Sequence, residues 1–420
     1  MSHQPESRLF SRLEIEGNKL THQPGSVLGS TALVAGTTVG AGILALPAVT
    51  MPSGIVPSTV LLIGIWLYAL ICGLLIAEVS LNSIRLEGRL SVGFLAMVES
   101  TLGKLGARIA GGAYLFLHYA LLVAYVTQGG EILISAIAQF WGISTPPTWL
   151  GGTVFTLLFG SILYFGREKF VEKLNSAFVA IVITSFFGLL FLAAGQVKSG
   201  QFLVQDWGAV GSAVSVMLVA LFYHNVVPVV VTQLEGDSRK IRQSIFWGSA
   251  IPLIMFLAWN AVILGSVTPD VVQNGVNFDP LQILRAGGAG EWLGVLVSIF
   301  SEFAIATSFI GFVYGLFDLF QDIFVVSPSE PNKRLSLYSL ILLPPMSLGA
   351  VNPHIFFTAL DFAGTFSISI LGGIIPALMT WKQRQSNHFQ QILVPGGRLT
   401  LIAMIGVTSV LIIKQLLGGE

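Results

Sequence analysis

Charge is what this sequence has least of. Only 10% of its 420 residues are Asp, Glu, Lys or Arg, against roughly a quarter in ordinary soluble domains. That deficit excludes a conventional solvated surface. Cysteine is nearly absent too. Cys72 stands alone, so no internal disulfide can form and the redox compartment leaves no mark. No low-complexity stretch interrupts the chain. Residues 1–25 are polar and mixed in charge; they lack the apolar core of a signal peptide and read as a plain tail. GxSxG, HExxH and Cys/His clusters are all missing, which removes the familiar hydrolase and metalloenzyme signatures. His118, His224 and Glu302 sit in different apolar segments without ligand spacing. No enzyme activity, cofactor, bound metal or nucleic-acid partner is therefore expected.

Hydrophobic residues fill the gap, at 54%. Crossing a bilayer takes about 20 apolar residues as helix. Eleven candidate segments can be marked, near 26–50, 55–81, 107–138, 149–166, 174–195, 209–233, 244–266, 291–321, 335–351, 354–381 and 397–417. They must be helical, because lipid offers no partner for unpaired backbone groups. Lys and Arg test the count. With the N-terminus in the cytoplasm, 18 of the 21 basic residues fall on the inside, and only Lys198, Arg285 and Lys414 fall outside. This positive-inside bias supports eleven transmembrane helices in a plasma or inner membrane, N-terminus cytoplasmic and C-terminus outside. The expectation is an all-α polytopic protein embedded in the lipid bilayer. Its parts are the tail (1–25), a first five-helix unit (26–196), a second (209–382), and an eleventh helix with the C-terminus (396–420).

Two segments do not read as plain spans. "GTTVGAGILALP", residues 36–47, puts Gly36, Thr37, Thr38, Gly40 and Gly42 around the midpoint of the first. Glycine and paired threonines weaken a helix there. Five spans later, "FYHNVVP" at 222–228 follows the midpoint of the sixth. Pro228 stops a helix and suits the start of a new one. With five spans per unit, equivalent helices run in opposite directions. Paired mid-bilayer interruptions are the pattern of an inverted repeat with a central substrate site. A half-helix starting near Gly40–Gly42 would offer free N–H groups to an anion, and half-helices ending nearby would offer carbonyls to a cation. Together these fit an α-amino acid zwitterion. The alternative is that the glycines only allow close helix packing.

These residues carry a resemblance. "GSVLGSTALVAGTTVGAGILALP" resembles the first helix of the bacterial tyrosine and tryptophan permeases, in the hydroxy/aromatic amino acid permease family of the amino acid–polyamine–organocation superfamily. "FYHNVVPVVVTQLEGD" (222–237) is similar to that family's sixth helix, "ATSFIGFVYGLFDLFQD" (306–322) to its eighth, and "LPPMSLGAVNP" (343–353) to its ninth. The resemblance implies a five-plus-five inverted repeat (LeuT-like) with broken helices 1 and 6 and one extra C-terminal helix. It implies import of aromatic amino acids (tyrosine, tryptophan, phenylalanine) by proton symport. The substrate would lie against Thr37, Thr38, Val39, Gly40, Ala41, Gly42, Phe222, Tyr223, His224 and Asn225. The chain departs from the family where His224-Asn225-Val226-Val227-Pro228-Val229 replaces smaller or hydroxylated residues, and relatives also handle serine or threonine.

Ionisable groups at depth are candidates for coupling. His224 lies beside the sixth-helix break, and an imidazole titrates near neutral pH; the alternative is a neutral ring bonded to a carbonyl. Glu302 lies eleven residues into its segment, about 16 Å down, as a proton carrier or a carboxyl bonded to a neighbour. His118 reads as a packing residue. Glu131 and Asp361 are placed to shape an access path or to satisfy helix ends. Glu78, Asp318 and Asp322, near the cytoplasmic ends, would pair with basic loops or gate. Thr307 and Ser308 resemble the hydroxyl pair that sodium-coupled relatives set against the first-helix break, so the co-transported ion is a proton or sodium. The alternative is hydroxyls bonded back to their own helix. Phe222, Tyr223, Phe309 and Phe312 are candidate walls for an aromatic side chain. A sodium-coupled or serine/threonine-type neutral amino acid transporter, and an amino acid sensor on a transporter fold, are the competing readings.

Overall fold

Local chemistry decides where the first long helix stops and restarts. The computed structural model describes residues 9, 13–16, 19–22, 25–40, 42–87, 93–142, 147–195, 197–266, 291–324, 331–386 and 391–417. Helix α1 (Val27–Thr38) starts on Ser26, whose hydroxyl accepts the Gly29 N–H at 2.9 Å. That bond satisfies one orphan donor of the first turn. Val39 then turns to extended backbone (φ −78°, ψ 96°), and α2 (Gly42–Thr50) resumes after a 53° bend. The sixth segment is interrupted as well. Helix α7 (Val214–Ala220) ends, Tyr223 leaves helical geometry (φ −140°, ψ 7°), and one tight turn (His224–Val226) leads into α8 (Val227–Gln233). Pro228 occupies the first turn of α8, where a missing N–H costs nothing.

The remaining helices run longer. They are α3 (Ile55–Glu87), α4 (Phe94–Trp141), α5 (Thr148–Phe165), α6 (Glu168–Ala194), α9 (Ser238–Ser266), α10 (Glu291–Phe324) and α11 (Pro331–Val351). The tenth expected segment is composite. Helix α12 (Phe356–Phe362) widens into a twelve-residue π-helix (Ala363–Ile374) and tightens again in α13 (Ile375–Arg384). Last comes α14 (Gly397–Leu416). Among the described residues, nine helices are long and apolar enough to cross a membrane, or ten if α1 and α2 form one bent span; α5 is apolar but shorter. The protein is an integral membrane protein with an almost wholly helical fold.

Two features depart from the sequence reading. The N-terminal tail is not plain: β1 (Leu13–Glu16) and β2 (Lys19–His22) pair antiparallel, Leu13 opposite His22. The third expected segment begins earlier than 107. Gly103 (φ 80°, ψ −178°) joins a preceding amphipathic stretch to the main part of α4, a backbone conformation that only glycine adopts without strain. Met97 and Val98 bury the inner face of that stretch, and Glu99 and Ser100 face out.

Packing brings the interrupted pieces to the centre. Helix α1 lies against α9, α2 against α7, and α10 between α4 and α6. Interhelical hydrogen bonds join α2, α3 and α9: Thr50 Oγ1 donates to Asn260 Oδ1 (2.6 Å), and Asn260 Nδ2 donates to Ser58 Oγ (3.0 Å). Each such bond is worth about 1 kcal/mol in a membrane.

Candidate functional site

The two interruptions meet. A Cβ added to Gly42, the first residue of α2, would lie 2.8 Å from the Ala220 Cα at the end of α7. No side chain fits there without displacing backbone. A Cβ added to Gly40 would lie 2.6 Å from Ser308 Oγ on α10. Trp259 of α9 donates its indole N–H to the Ile43 carbonyl at 3.1 Å, which fixes the first turn of α2. The end of one helix and the start of another therefore share a few ångströms. Terminal helix turns carry N–H and C=O groups without intrahelical partners, so both polarities are offered in one place.

The polar side chains of the first break turn inward on their own helix. Thr37 and Thr38 donate to Leu33 and Val34 carbonyls, each at 2.8 Å. Thr307 and Ser308 both donate to the Ala304 carbonyl at 3.0 Å. The alternative weighed from sequence, hydroxyls bonded back to their own helix, is thus the observed geometry. Ser308 also pairs with the hydroxyl of Tyr125, which donates to its oxygen. Val39 and Gly40 are partly exposed; Ala41 lies outside the described residues.

At the second break, Tyr223 and His224 converge on one atom. Tyr223 Oη donates to the Ala69 carbonyl of α3 at 3.1 Å, and His224 Nε2 approaches the same oxygen at 3.2 Å. A carbonyl only accepts, so Nε2 carries the proton and Nδ1 is left with its lone pair. Nδ1 is buried without a hydrogen-bond partner. Phe222, His224 and Asn225 line a cavity of about 440 Å³, with Tyr114, Gly315 and Asp318 opposite. Asn225 is exposed into it while His224 is 3% exposed. Tyr223 does not line this cavity; it stacks on His224 and fills the notch over Gly73.

The other candidates have distinct settings. Phe309 is fully buried against Phe155. Phe312 belongs to an aromatic column with His118 and Tyr125. His118 donates Nδ1–H to the Tyr114 carbonyl (2.8 Å) and packs over Gly315. Glu302 is on α10, both oxygens shielded from solvent, six residues before Ser308, or about 9 Å along the axis. Glu131 is half-buried on α4. Asp361 accepts from Gln415 Nε2 at 3.0 Å. Glu78 pairs with Arg384. The side chain of Asp322 lies outside the described residues. Sequence reasoning missed Tyr114 and Gly315 as cavity walls. Gly315 on α10 is where Tyr114 and His118 approach closely; the preceding glycine of the Gly311-x-x-x-Gly315 spacing meets nothing within 4 Å.

Comparison with known proteins gives the chain's family and fold relatives. The model of the tryptophan/tyrosine permease family matches residues 23–415. Tyrosine-specific transport system 1 of Haemophilus influenzae is 30% identical over 396 residues, covering 92% of this chain and 95% of the relative. A tryptophan-specific transport protein of the same organism is 28% identical, covering 92% and 94%. In fold, the chain is similar to the crystal structure of MhsT in complex with L-phenylalanine, at 16% identity and a TM-score of 0.64, covering 95% of this chain and 100% of that one. With a family model matching residues 23–415 and a 30% identical relative covered to 95%, the chain belongs to the tryptophan/tyrosine permease family.

Proposed function

We propose that this protein imports aromatic amino acids (tyrosine, tryptophan and phenylalanine) by proton symport with alternating access. In this reading eleven helices cross a plasma or inner membrane, N-terminus cytoplasmic and C-terminus outside. The first ten form two inverted five-helix repeats, with α1/α2 and α7/α8 as equivalent broken spans. The observation that carries the reading is Gly42 seated on Ala220, because it juxtaposes the two breaks. The N–H groups opening α2 would hold the substrate carboxylate, and the carbonyls ending α1 and α7 its ammonium. Thr37, Thr38, Val39, Gly40, Ala41 and Gly42 form one wall of the central site. Phe222, Tyr223, His224 and Asn225 form the other. His224 and Glu302 carry the proton. The relatives named for tyrosine and tryptophan transport support the substrate class.

A second reading has its own observation. Ser308 lies against Gly40, beside the end of α1. Two hydroxyls and helix-end carbonyls make an oxygen-lined place for a hard cation, so sodium is the alternative coupling ion.

Purified protein in proteoliposomes tests both. Tracer tyrosine, tryptophan and phenylalanine should accumulate uphill when the lumen is alkaline, with or without sodium, and an uncoupler should abolish accumulation. Uptake driven only by a sodium gradient would move the coupling to Ser308. Uptake of serine or threonine with aromatics ignored would overturn the substrate assignment, and no accumulation of any amino acid would overturn transport itself.

A further inference from the structure

We propose that a cavity between the end of α13 and the start of α14 binds the headgroup of an anionic phospholipid. It shares no residue with the helix breaks. Its volume is about 430 Å³, and Arg384, Ser386, Ile392, Val394 and the turn Pro395–Gly397 line it. Three guanidinium groups from three helices gather there. Arg384 of α13 is matched by the buried Glu78 carboxylate. Arg242 of α9 donates Nη2–H to the Ile392 carbonyl at 3.1 Å. Arg398 of α14, next to Gly397, holds its guanidinium 6.0 Å from the centre of the Trp381 ring. Arg242 and Arg398 are both exposed, and among the described residues neither bonds to a carboxylate. One carboxylate against three guanidinium groups leaves the rim positive. Glu78 also accepts the Val394 N–H, and Arg384 donates to the Val394 carbonyl, so the cavity wall is in place before a ligand arrives.

Guanidinium groups suit phosphate oxygens, because their planar fork offers paired N–H donors at fixed charge. What favours a lipid over a soluble phosphate is the apolar surface that continues from the charge. Ile392, Leu399 and Ile402 are exposed. Leu399 and Ile402 are three residues apart on α14 and share a face. Helix α14 is also the least buried of the long apolar helices among the described residues. An acyl chain laid along that face is removed from water; an inorganic phosphate gains nothing from it. Trp381, half-buried under Arg398, is a residue type that favours the headgroup level. The orientation proposed above puts residues 385–396 on the cytoplasmic side, where anionic lipids and basic pockets between helices meet. The inference uses that orientation and is independent of the substrate.

Equilibrium binding of labelled phosphatidylglycerol and phosphatidylcholine to the purified full-length chain in neutral detergent tests the site. The wild type should hold phosphatidylglycerol about tenfold more tightly than phosphatidylcholine. Arg242→Gln with Arg398→Gln should bring the two lipids within about twofold. Lys104→Gln with Arg108→Gln, which removes the same charge from exposed positions on α4, should keep the wild-type preference. If the first pair fails to fold, Arg398→Gln alone decides, with an expected loss of about threefold. Equal binding of the two lipids to the wild type, or equal loss in both pairs, overturns the site. Displacement of phosphatidylglycerol by inorganic phosphate as readily as by unlabelled lipid overturns the lipid assignment. None of these results bears on transport, which the uptake assay decides.

Discussion

Gly40 and Ser308 are the pair at which coupling can be interrogated residue by residue. Alanine at 40 puts a methyl 2.6 Å from Ser308 Oγ but 3.8 Å from Ser308 Cβ. The hydroxyl is therefore the obstacle. Gly40→Ala should cut gradient-driven uptake at least tenfold, because packed helices resolve such a clash by shifting. Adding Ser308→Ala removes the offending atom and should restore most of the uptake. If the double variant stays inactive while its folded yield is normal, the hydroxyl itself is required, as in the sodium reading. What the sequence conveyed at this scale was residue type and neighbourhood. Tyr223 and His224 were legible as special because they flank Pro228 across the break. That both point at one Ala69 carbonyl was not, since it depends on a contact 154 and 155 residues away in sequence.

The glycines of the first break separate by role only when the helices are in place. A Cβ at Gly42 meets the Ala220 backbone, whereas one at Gly36 meets nothing within 4 Å. Gly42→Ala should therefore lower uptake by an order of magnitude or more. Gly36→Ala should leave it within about twofold, since alanine is a better helix former than glycine by up to about 1 kcal/mol. Equal effects of the two, measured as initial uptake rates at matched expression, would undo the role given to the Gly42 contact. Hydropathy located the elements because lipid forces apolar length and closed hydrogen bonding on every span. It was blind to the π-helix of Ala363–Ile374, which adds no polarity and breaks no run. It was equally blind to the hairpin in the tail, where Leu13 and Ile15 alternate with Glu14 and Glu16 over only four residues, too short a pattern to stand out.

Across the whole molecule, one ion pair ties distant parts of the chain. Glu78 on α3 is 1% exposed and takes a two-pronged contact from Arg384: Nε to Oε1 at 2.7 Å and Nη2 to Oε2 at 2.8 Å. The same carboxylate accepts the Leu393 and Val394 N–H groups, and Arg384 also donates to the Val394 carbonyl. Helices α3 and α13 and the strand of chain before α14 are thereby held together. Removing one partner of a buried pair costs roughly 3–5 kcal/mol, more than the pair itself contributes, because the other charge is stranded. Glu78→Gln should accordingly lower the detergent Tm by several degrees, and Glu78→Gln with Arg384→Met should regain part of the loss. A single variant that melts with the wild type would show the clasp to be idle. The sequence placed Glu78 near basic loops; it could not choose Arg384, which lies 306 residues on.

The tail fastens the molecule in another way. The Leu9 N–H reaches the Glu235 carbonyl at 2.7 Å, and the Gly25 N–H reaches that of Gln233 at 3.0 Å. The lead-in to α1 is thus joined to the trailing end of α8 by main-chain bonds, and Gly25 has to be glycine there, since a Cβ would lie 2.5 Å from the Gln233 carbonyl oxygen. If the proposed alternating access operates, these two bonds tie the ends together for as long as they hold. The transport reading then places its hinges at Val39 and Tyr223, where the backbone leaves helical geometry.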